Sequence, residues 1–164
     1  MSGYTVRRAE LADAEAMAAL SRSVAYRPET ADEARGYLVF QGTPEEYRER
    51  IAACPYSVVA VDAKGAATGY LLASYRDAFG VEREGYLLVD QICVGPAARG
   101  SGLAQRMLDT VTTEAGRRVV GAAIMHAPVR NARSLRFFTE KNGFRLVREF
   151  PEGNFLWGYY EREY

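Results

Sequence analysis

The amino-acid sequence predicts an α+β domain of about seven strands flanked by about four helices, and three observations carry that expectation. Two pairs of strand-like segments are joined by short glycine-containing turns, Asp62-Ala63-Lys64-Gly65-Ala66 and Pro151-Glu152-Gly153-Asn154, the usual chemistry of antiparallel hairpins. No alternating parallel βαβ series runs along the chain, which argues against a doubly wound sheet. Finally, residues 86–94 form an apolar, β-branched run that Gly95-Pro96 stops and that a glycine turn then carries into a helix. The rest of the chain can be read as built to position this strand, turn and helix.

Taken in order, Tyr4-Thr5-Val6-Arg7-Arg8 alternates as a short strand. Residues 13–24 then form an alanine-rich helix with Met17, Leu20 and Val24 on one side. Periodicity fades over residues 25–41, so that stretch is expected to be irregular. Thr43-Pro44-Glu45-Glu46 opens a second helix, with Thr as N-cap, Pro at the first position and acids in the first turn; it runs to about Cys54. Residues 57–61 and 68–75 are the first hairpin, and the organising strand extends the sheet after the loop 76–85. Leu103, Met107, Leu108 and Val111 recur at helical spacing beyond the turn. Residues 118–126 are a further strand, and residues 131–142 a helix closed by Gly143 in a left-handed cap with Phe144 beyond it. Residues 145–150 and 155–160 form the closing hairpin.

At 164 residues, one domain spanning residues 1–164 with a single core is expected. Lys+Arg and Asp+Glu both number 21, so no net field favours nucleic acid or an anionic membrane. Cys54 and Cys93 lack the spacing of a metal or redox motif, and Cys93 sits in a predicted buried strand, so both are expected to be reduced thiols. Glu10, Asp13 and Glu15 stand where a signal peptide needs an apolar run, and no transmembrane stretch of about 18 apolar residues occurs. A cytoplasmic protein, bound to neither membrane nor nucleic acid, is the expectation.

The turn carries the chemistry. Arg99-Gly100-Ser101-Gly102-Leu103-Ala104 sits at a helix N-terminus, where unpaired backbone N–H groups and about half a positive charge attract anions. Two residues without Cβ let the backbone approach a diphosphate, and Arg99 adds a charge-assisted contact. The Gly-x-x-x-x-Gly-Lys-Ser/Thr loop of nucleotide hydrolases is absent, and only two glycines of the dinucleotide fingerprint are matched. A turn that binds nothing, or a nucleotide module using the same loop, stays open at this level.

Two motifs extend the reading. Arg-x-x-Gly-x-Ala at residues 99–104, directly after a strand ending Val94-Gly95-Pro96, resembles the acyl-coenzyme-A loop of the GNAT superfamily of N-acetyltransferases. Asn131-Ala132-Arg133-Ser134-Leu135-Arg136-Phe137-Phe138-Thr139-Glu140-Lys141-Asn142-Gly143-Phe144 is similar to that superfamily's second signature, Asn-x-x-Ser/Ala-x-x-Phe-Tyr-x-x-x-Gly-Phe. The resemblance implies a mixed, largely antiparallel sheet in which the strands at 86–94 and 118–126 are a central splayed parallel pair. It implies acetyl-coenzyme A (acetyl-CoA) as cosubstrate, its pantetheine pairing with backbone of Ile92, Cys93 and Val94. The pyrophosphate would rest on Arg99, Gly100, Ser101, Gly102, Leu103 and Ala104, and Asn131 would reach the pantetheine arm. The Val94 N–H would hold the oxyanion while a primary amine of a small molecule or peptide attacks directly. No metal is implied, and a homodimer is an allowed assembly.

For the proton leaving the amine, Asp90 is the candidate base, since in a regular strand it shares a face with Leu88, Ile92 and Val94, where apolar neighbours raise a carboxyl pKa. Pairing with an arginine is the competing role. His126, the only histidine, could serve as base or as a hydrogen-bonded structural group. Tyr26, Tyr37 and Tyr47 are candidates for an acceptor pocket or for packing, and Glu29, Asp32 and Glu33 lean toward a cationic acceptor. Where the resemblance implies a Tyr that protonates the departing thiolate in many relatives, this chain has Phe138, which has no proton to give. That departure motivates a second reading, a non-catalytic acyl-CoA-binding or sensing domain.

Overall fold

The computed structural model describes residues 3–33 and 36–164, so Ala34 and Arg35, in the middle of the segment expected to be irregular, lie outside the described residues. Seven strands form one mixed sheet in the order β1-β2-β3-β4-β5-β7-β6. They are β1 (Thr5–Arg8), β2 (Val58–Val61), β3 (Ala67–Ser74), β4 (Tyr86–Val94), β5 (Val119–Ala127), β6 (Arg145–Glu152) and β7 (Phe155–Glu163). Pairs β1/β2, β2/β3, β5/β7 and β6/β7 are antiparallel. Between β4 and β5 the chain crosses through a helix, the connection that a parallel neighbouring pair requires. The helices are α1 (Ala14–Ser23), α2 (Pro44–Ala53), α3 (Leu103–Ala115) and α4 (Ala132–Leu135). None among the described residues is long and apolar enough to cross a membrane.

The chain groups into two compact units. The first holds residues 3–25, Leu38–Ser74 and Val89–Gly116, hence β1 to β3, α1 to α3 and most of β4. Its core is made by Met17 and Ala18 of α1, Tyr47 and Ile51 of α2, Tyr70 and Leu72 of β3 and Cys93 of β4. The amphipathic prediction for α3 is met residue for residue: Leu103, Met107, Leu108 and Val111 are its buried positions. Helix α2 starts as its sequence dictates. Thr43 accepts a hydrogen bond from the Glu46 N–H, Glu46 reaches back to the Thr43 N–H, and Pro44 takes the first helical position. The hairpin loop between β2 and β3 closes on Asp62, whose Oδ1 accepts from the N–H groups of Lys64 and Ala66.

The second unit holds Tyr26–Tyr37, Tyr75–Leu88 and Arg117–Tyr164. Tyr86, Leu88 and Tyr159 are buried together, with Val119 and Phe150 against them. Gly121 of β5 faces this cluster, and a Cβ there would lie 2.1 Å from the Tyr86 hydroxyl, so only glycine fits. The helix expected over residues 131–142 is less regular than predicted. Asn131 is its N-cap, α-helical bonding lasts through Leu135, and residues Arg136–Lys141 widen into a π-helix before Gly143 closes the end at φ +70°. The Asn142 side chain donates to the Phe137 carbonyl at 2.8 Å, and the Phe144 N–H to that of Phe138 at 2.9 Å.

Candidate active site

Strand β4 alternates along its last half. Val89, Gln91 and Cys93 are buried, while Asp90, Ile92 and Val94 form the more open face. The strand ends where two backbones touch: the Gly95 N–H donates to the Thr68 carbonyl at 2.7 Å. A Cβ on Gly69 would lie 2.8 Å from the Cys93 carbonyl oxygen, and one on Gly95 3.0 Å from that of Thr68. A turn at Pro96–Ala98 follows, and the Ser101 hydroxyl braces it by donating to the Ala98 carbonyl.

Gly100 and Gly102 then adopt φ of +78° and +79°, the left-handed region that suits glycine. Nothing lies within 4 Å of a Cβ built on either, so the backbone there is open to a ligand. Gly102 caps α3, no side chain caps it in turn, and helical bonding begins with the Arg106 N–H on the Gly102 carbonyl at 3.1 Å. The first-turn N–H groups, at Leu103 and Ala104 among others, therefore have no acceptor within the helix. Leu103 is 1% exposed, so its side chain belongs to the core and only its backbone can serve the turn. Such a cradle fits a diphosphate: its donors are backbone, its surface is bare, and Arg99 lies at its edge.

Asp90 projects from the open face of β4 into an ion pair. Arg50, in the last turn of α2, donates from Nη1 to Asp90 Oδ2 at 2.5 Å. Burial is the larger influence on the Asp90 carboxyl and pushes it above its ordinary value, against the pull of Arg50. The guanidinium of Arg50 also lies 4.3 Å from the centroid of the Phe40 ring. The next residue of β4 continues the cluster inward. Gln91 donates from Nε2 to the Phe40 carbonyl at 3.1 Å, and its Oε1 lies 2.8 Å from the Tyr47 hydroxyl and 2.6 Å from that of Tyr70. Tyr47, a candidate for a pocket or for packing, takes the packing role: it is fully buried and bound into this network. Sequence reasoning missed Arg50 and Phe40, because a pair made across 40 residues leaves no local pattern.

Cys93, between the two open positions of β4, is 3% exposed, and burial, opposed by Arg99, pushes its thiol up to about 12. A thiol so held is not a nucleophile near neutral pH. Both cysteines are buried, and neither is in a disulfide.

In the second unit, the Asn131 side chain accepts from the Ser134 N–H at 3.4 Å and donates to the Tyr37 carbonyl at 3.1 Å. Phe138 is 3% exposed between Phe137 and Phe144, with ring centroids 5.1 and 5.0 Å away. Tyr26 packs on Tyr37 and Phe155, and the Tyr37 hydroxyl donates to the Val129 carbonyl. His126 is held from both sides. Its Nδ1 donates to Glu149 Oε2 at 2.6 Å, and Nε2 lies 2.7 Å from the Tyr160 hydroxyl. Glu29, Asp32 and Glu33 are exposed, and Glu33 lies 3.9 Å from Arg130.

Comparison with known proteins follows the same lines. Residues 25–144 match the Acetyltransferase (GNAT) family. The crystal structure of Ard1 from Thermoplasma volcanium superposes over 98% of this chain and 97% of that one, with a TM-score of 0.77 and 14% identity. A candidate phosphinothricin N-acetyltransferase superposes over 98% of each chain, with a TM-score of 0.72 and 26% identity. Naa50 of Arabidopsis thaliana, in complex with the bisubstrate analogue CoA-Ac-MVNAL, covers 99% of each chain with a TM-score of 0.69 and 11% identity. No curated protein sequence matches the chain.

Proposed function

The chain belongs to the acetyltransferase (GNAT) family, and from that premise we propose that it transfers an acetyl group from acetyl-CoA to a primary amine by direct attack within a ternary complex. The observation that carries this reading is the bare, left-handed glycine pair at the uncapped start of α3, immediately downstream of an open strand face. Acetyl-CoA supplies an activated acetyl thioester and a dianionic diphosphate. Backbone donors at residues 100–104, with Arg99, hold the diphosphate; each hydrogen bond to a charged group contributes about 1.5–3 kcal/mol. Ile92, Cys93 and Val94 offer strand edge to the pantetheine arm, and the Val94 N–H polarises the carbonyl under attack. Asp90, whose Oδ1 faces no partner among the described residues, takes up through intervening water the proton that the amine must lose. Within the second unit Asn131 is the N-cap of α4, and Phe138 is buried against Phe137 and Phe144. A covalent acetyl-cysteine route is disfavoured because Cys93 is sealed and held protonated.

Phe138 favours a second reading, a domain that binds acyl-CoA without turning it over. Steady-state thiol release with a panel of amines, run beside calorimetric acetyl-CoA binding, separates the two. Release that depends on the amine supports the transferase. Tight binding with no release on any amine supports the sensor, and no binding at all removes both.

A further inference from the structure

We propose that Arg50 is a positioning residue for the reaction: backed by the Phe40 ring, it holds the Asp90 carboxylate in place on the open face of β4 as the group that finally takes the proton. The inference rests on the proton route through Asp90 given above and adds the side chains that support it. The link is one charge-assisted hydrogen bond, from Nη1 of Arg50 to Oδ2 of Asp90 at 2.5 Å. It ties the last turn of α2 to β4 across 40 residues of chain. The bond does not seal the carboxylate: 29% of the Asp90 side chain stays exposed, so water reaches it and can relay a proton.

The guanidinium is held from a second side. Its central carbon lies 4.3 Å from the centroid of the Phe40 ring. Phe40 is fixed in turn, because Gln91 donates to its carbonyl at 3.1 Å and the buried hydroxyls of Tyr47 and Tyr70 anchor Gln91. A Cβ on Gly42 would lie 3.2 Å from Cε1 of the same ring, so main chain rests against its edge. Support thus runs from the core through Gln91, Phe40 and Arg50 to Asp90, and the carboxylate is oriented before any substrate arrives. Two titratable or charged groups act on Asp90 from neighbouring elements: Arg50 of α2, and Tyr70 of β3, whose hydroxyl is spent on Gln91 and which burial keeps protonated. Burial raises the Asp90 carboxyl, and among the described residues Arg50 alone opposes it. With the cation removed, burial acts unopposed, and the protonated carboxyl, which cannot take a further proton, persists to higher pH.

The test uses the full chain and follows thiol release against pH, with one amine common to all variants so that its own protonation cancels. Wild-type kcat should fall on the acid side as Asp90 becomes protonated. In Arg50→Gln that fall should begin about one pH unit higher, the smaller end of what an opposite charge close to a carboxylate contributes, with the rate at high pH and the affinity for acetyl-CoA near wild type. Arg50→Lys should return most of the shift, since lysine restores the charge without the planar guanidinium. Phe40→Leu keeps every charge and should move the fall in the same direction by less; it decides the matter if Arg50→Gln does not fold, and an unmoved profile in it then overturns the proposal. A fall at the wild-type pH in Arg50→Gln, or a rate lowered by the same factor at every pH, marks a merely structural pair and overturns the positioning role. Asp90→Asn separates the two levels. If it abolishes the acid-side fall while Arg50→Gln leaves the fall in place, only the role of Arg50 is lost. If Asp90→Asn keeps the wild-type profile, the proton route through Asp90 fails and this inference with it.

Discussion

Replacing Gln91 by leucine tests how the open face of β4 is supported. The Gln91 amide is 5% exposed, and Tyr47 and Tyr70, whose hydroxyls converge on its Oε1, are fully buried. The hydroxyls lie 2.9 Å apart, so in Gln91→Leu one can still donate to the other, but the second proton loses its acceptor. A buried polar group left unsatisfied costs about 1–3 kcal/mol, and the Phe40 carbonyl loses a bond worth about 0.5–1.5 kcal/mol. The sum is about 2–4 kcal/mol, or roughly 4–16 °C in Tm for a chain of this length. Urea unfolding followed by far-UV circular dichroism measures it. The triple variant Tyr47→Phe/Tyr70→Phe/Gln91→Leu removes donors and acceptor together and should regain most of the loss, because apolar replacement of both partners is nearly neutral. A Gln91→Leu protein as stable as wild type, or a triple variant with additive losses, would refute the reasoning.

Other perturbations have equally definite outcomes. Gly102→Ala forces a side chain into a left-handed position, costing roughly 1–2 kcal/mol, and points it at the cradle; calorimetry should show acetyl-CoA affinity down by about tenfold, and unchanged affinity would remove the cradle from cofactor binding. Burial pushes the Asp13 carboxyl up, but hydrogen bonds from Arg7 and the Glu10 N–H outweigh it and hold the carboxyl below its ordinary range. Because the folded-state pKa is the lower one, this stabilisation is complete above the unfolded value of about 3.9 and fades as pH falls through the folded value. The stability gap between wild type and Asp13→Asn, measured in urea, should therefore be widest near neutrality and close in acid; a gap independent of pH contradicts the assignment. Cys54 and Cys93 should resist iodoacetamide at pH 8 in the native protein and react once unfolded, as read by intact mass; rapid native alkylation of Cys93 would reopen an acetyl-cysteine route.

Features with a local cause were legible in the sequence. The cap at Thr43 needs only residues three apart, the buried stripe of α3 only helical spacing, and the left-handed end at Gly143 only the want of a Cβ. The glycine turn at 100–102 was visible for the same reason. What could not be read was set by distance along the chain. Asp90 was singled out from its own strand, yet its partner comes from another helix and its support from Phe40. Whether Tyr47 lines a pocket or packs is decided by Gln91 and Tyr70, which hold its hydroxyl from two strands. The π-helical stretch Arg136–Lys141 depends on how the chain around Phe138 and Asn142 satisfies its carbonyls, which no propensity scale encodes.

The close approach of Gly69 to the Cys93 carbonyl, and of Gly95 to the Thr68 carbonyl, bears on the cost of recognition. Where main chain rests directly on main chain, no rotamer can relax to loosen the joint. The donors downstream are then arranged when the protein folds, and capturing an anion need not freeze them again. Affinity for a diphosphate would thus be governed mainly by desolvation and charge, and adding even one methyl group at either glycine should weaken binding from a distance by unsettling the anchor on which the cradle hangs.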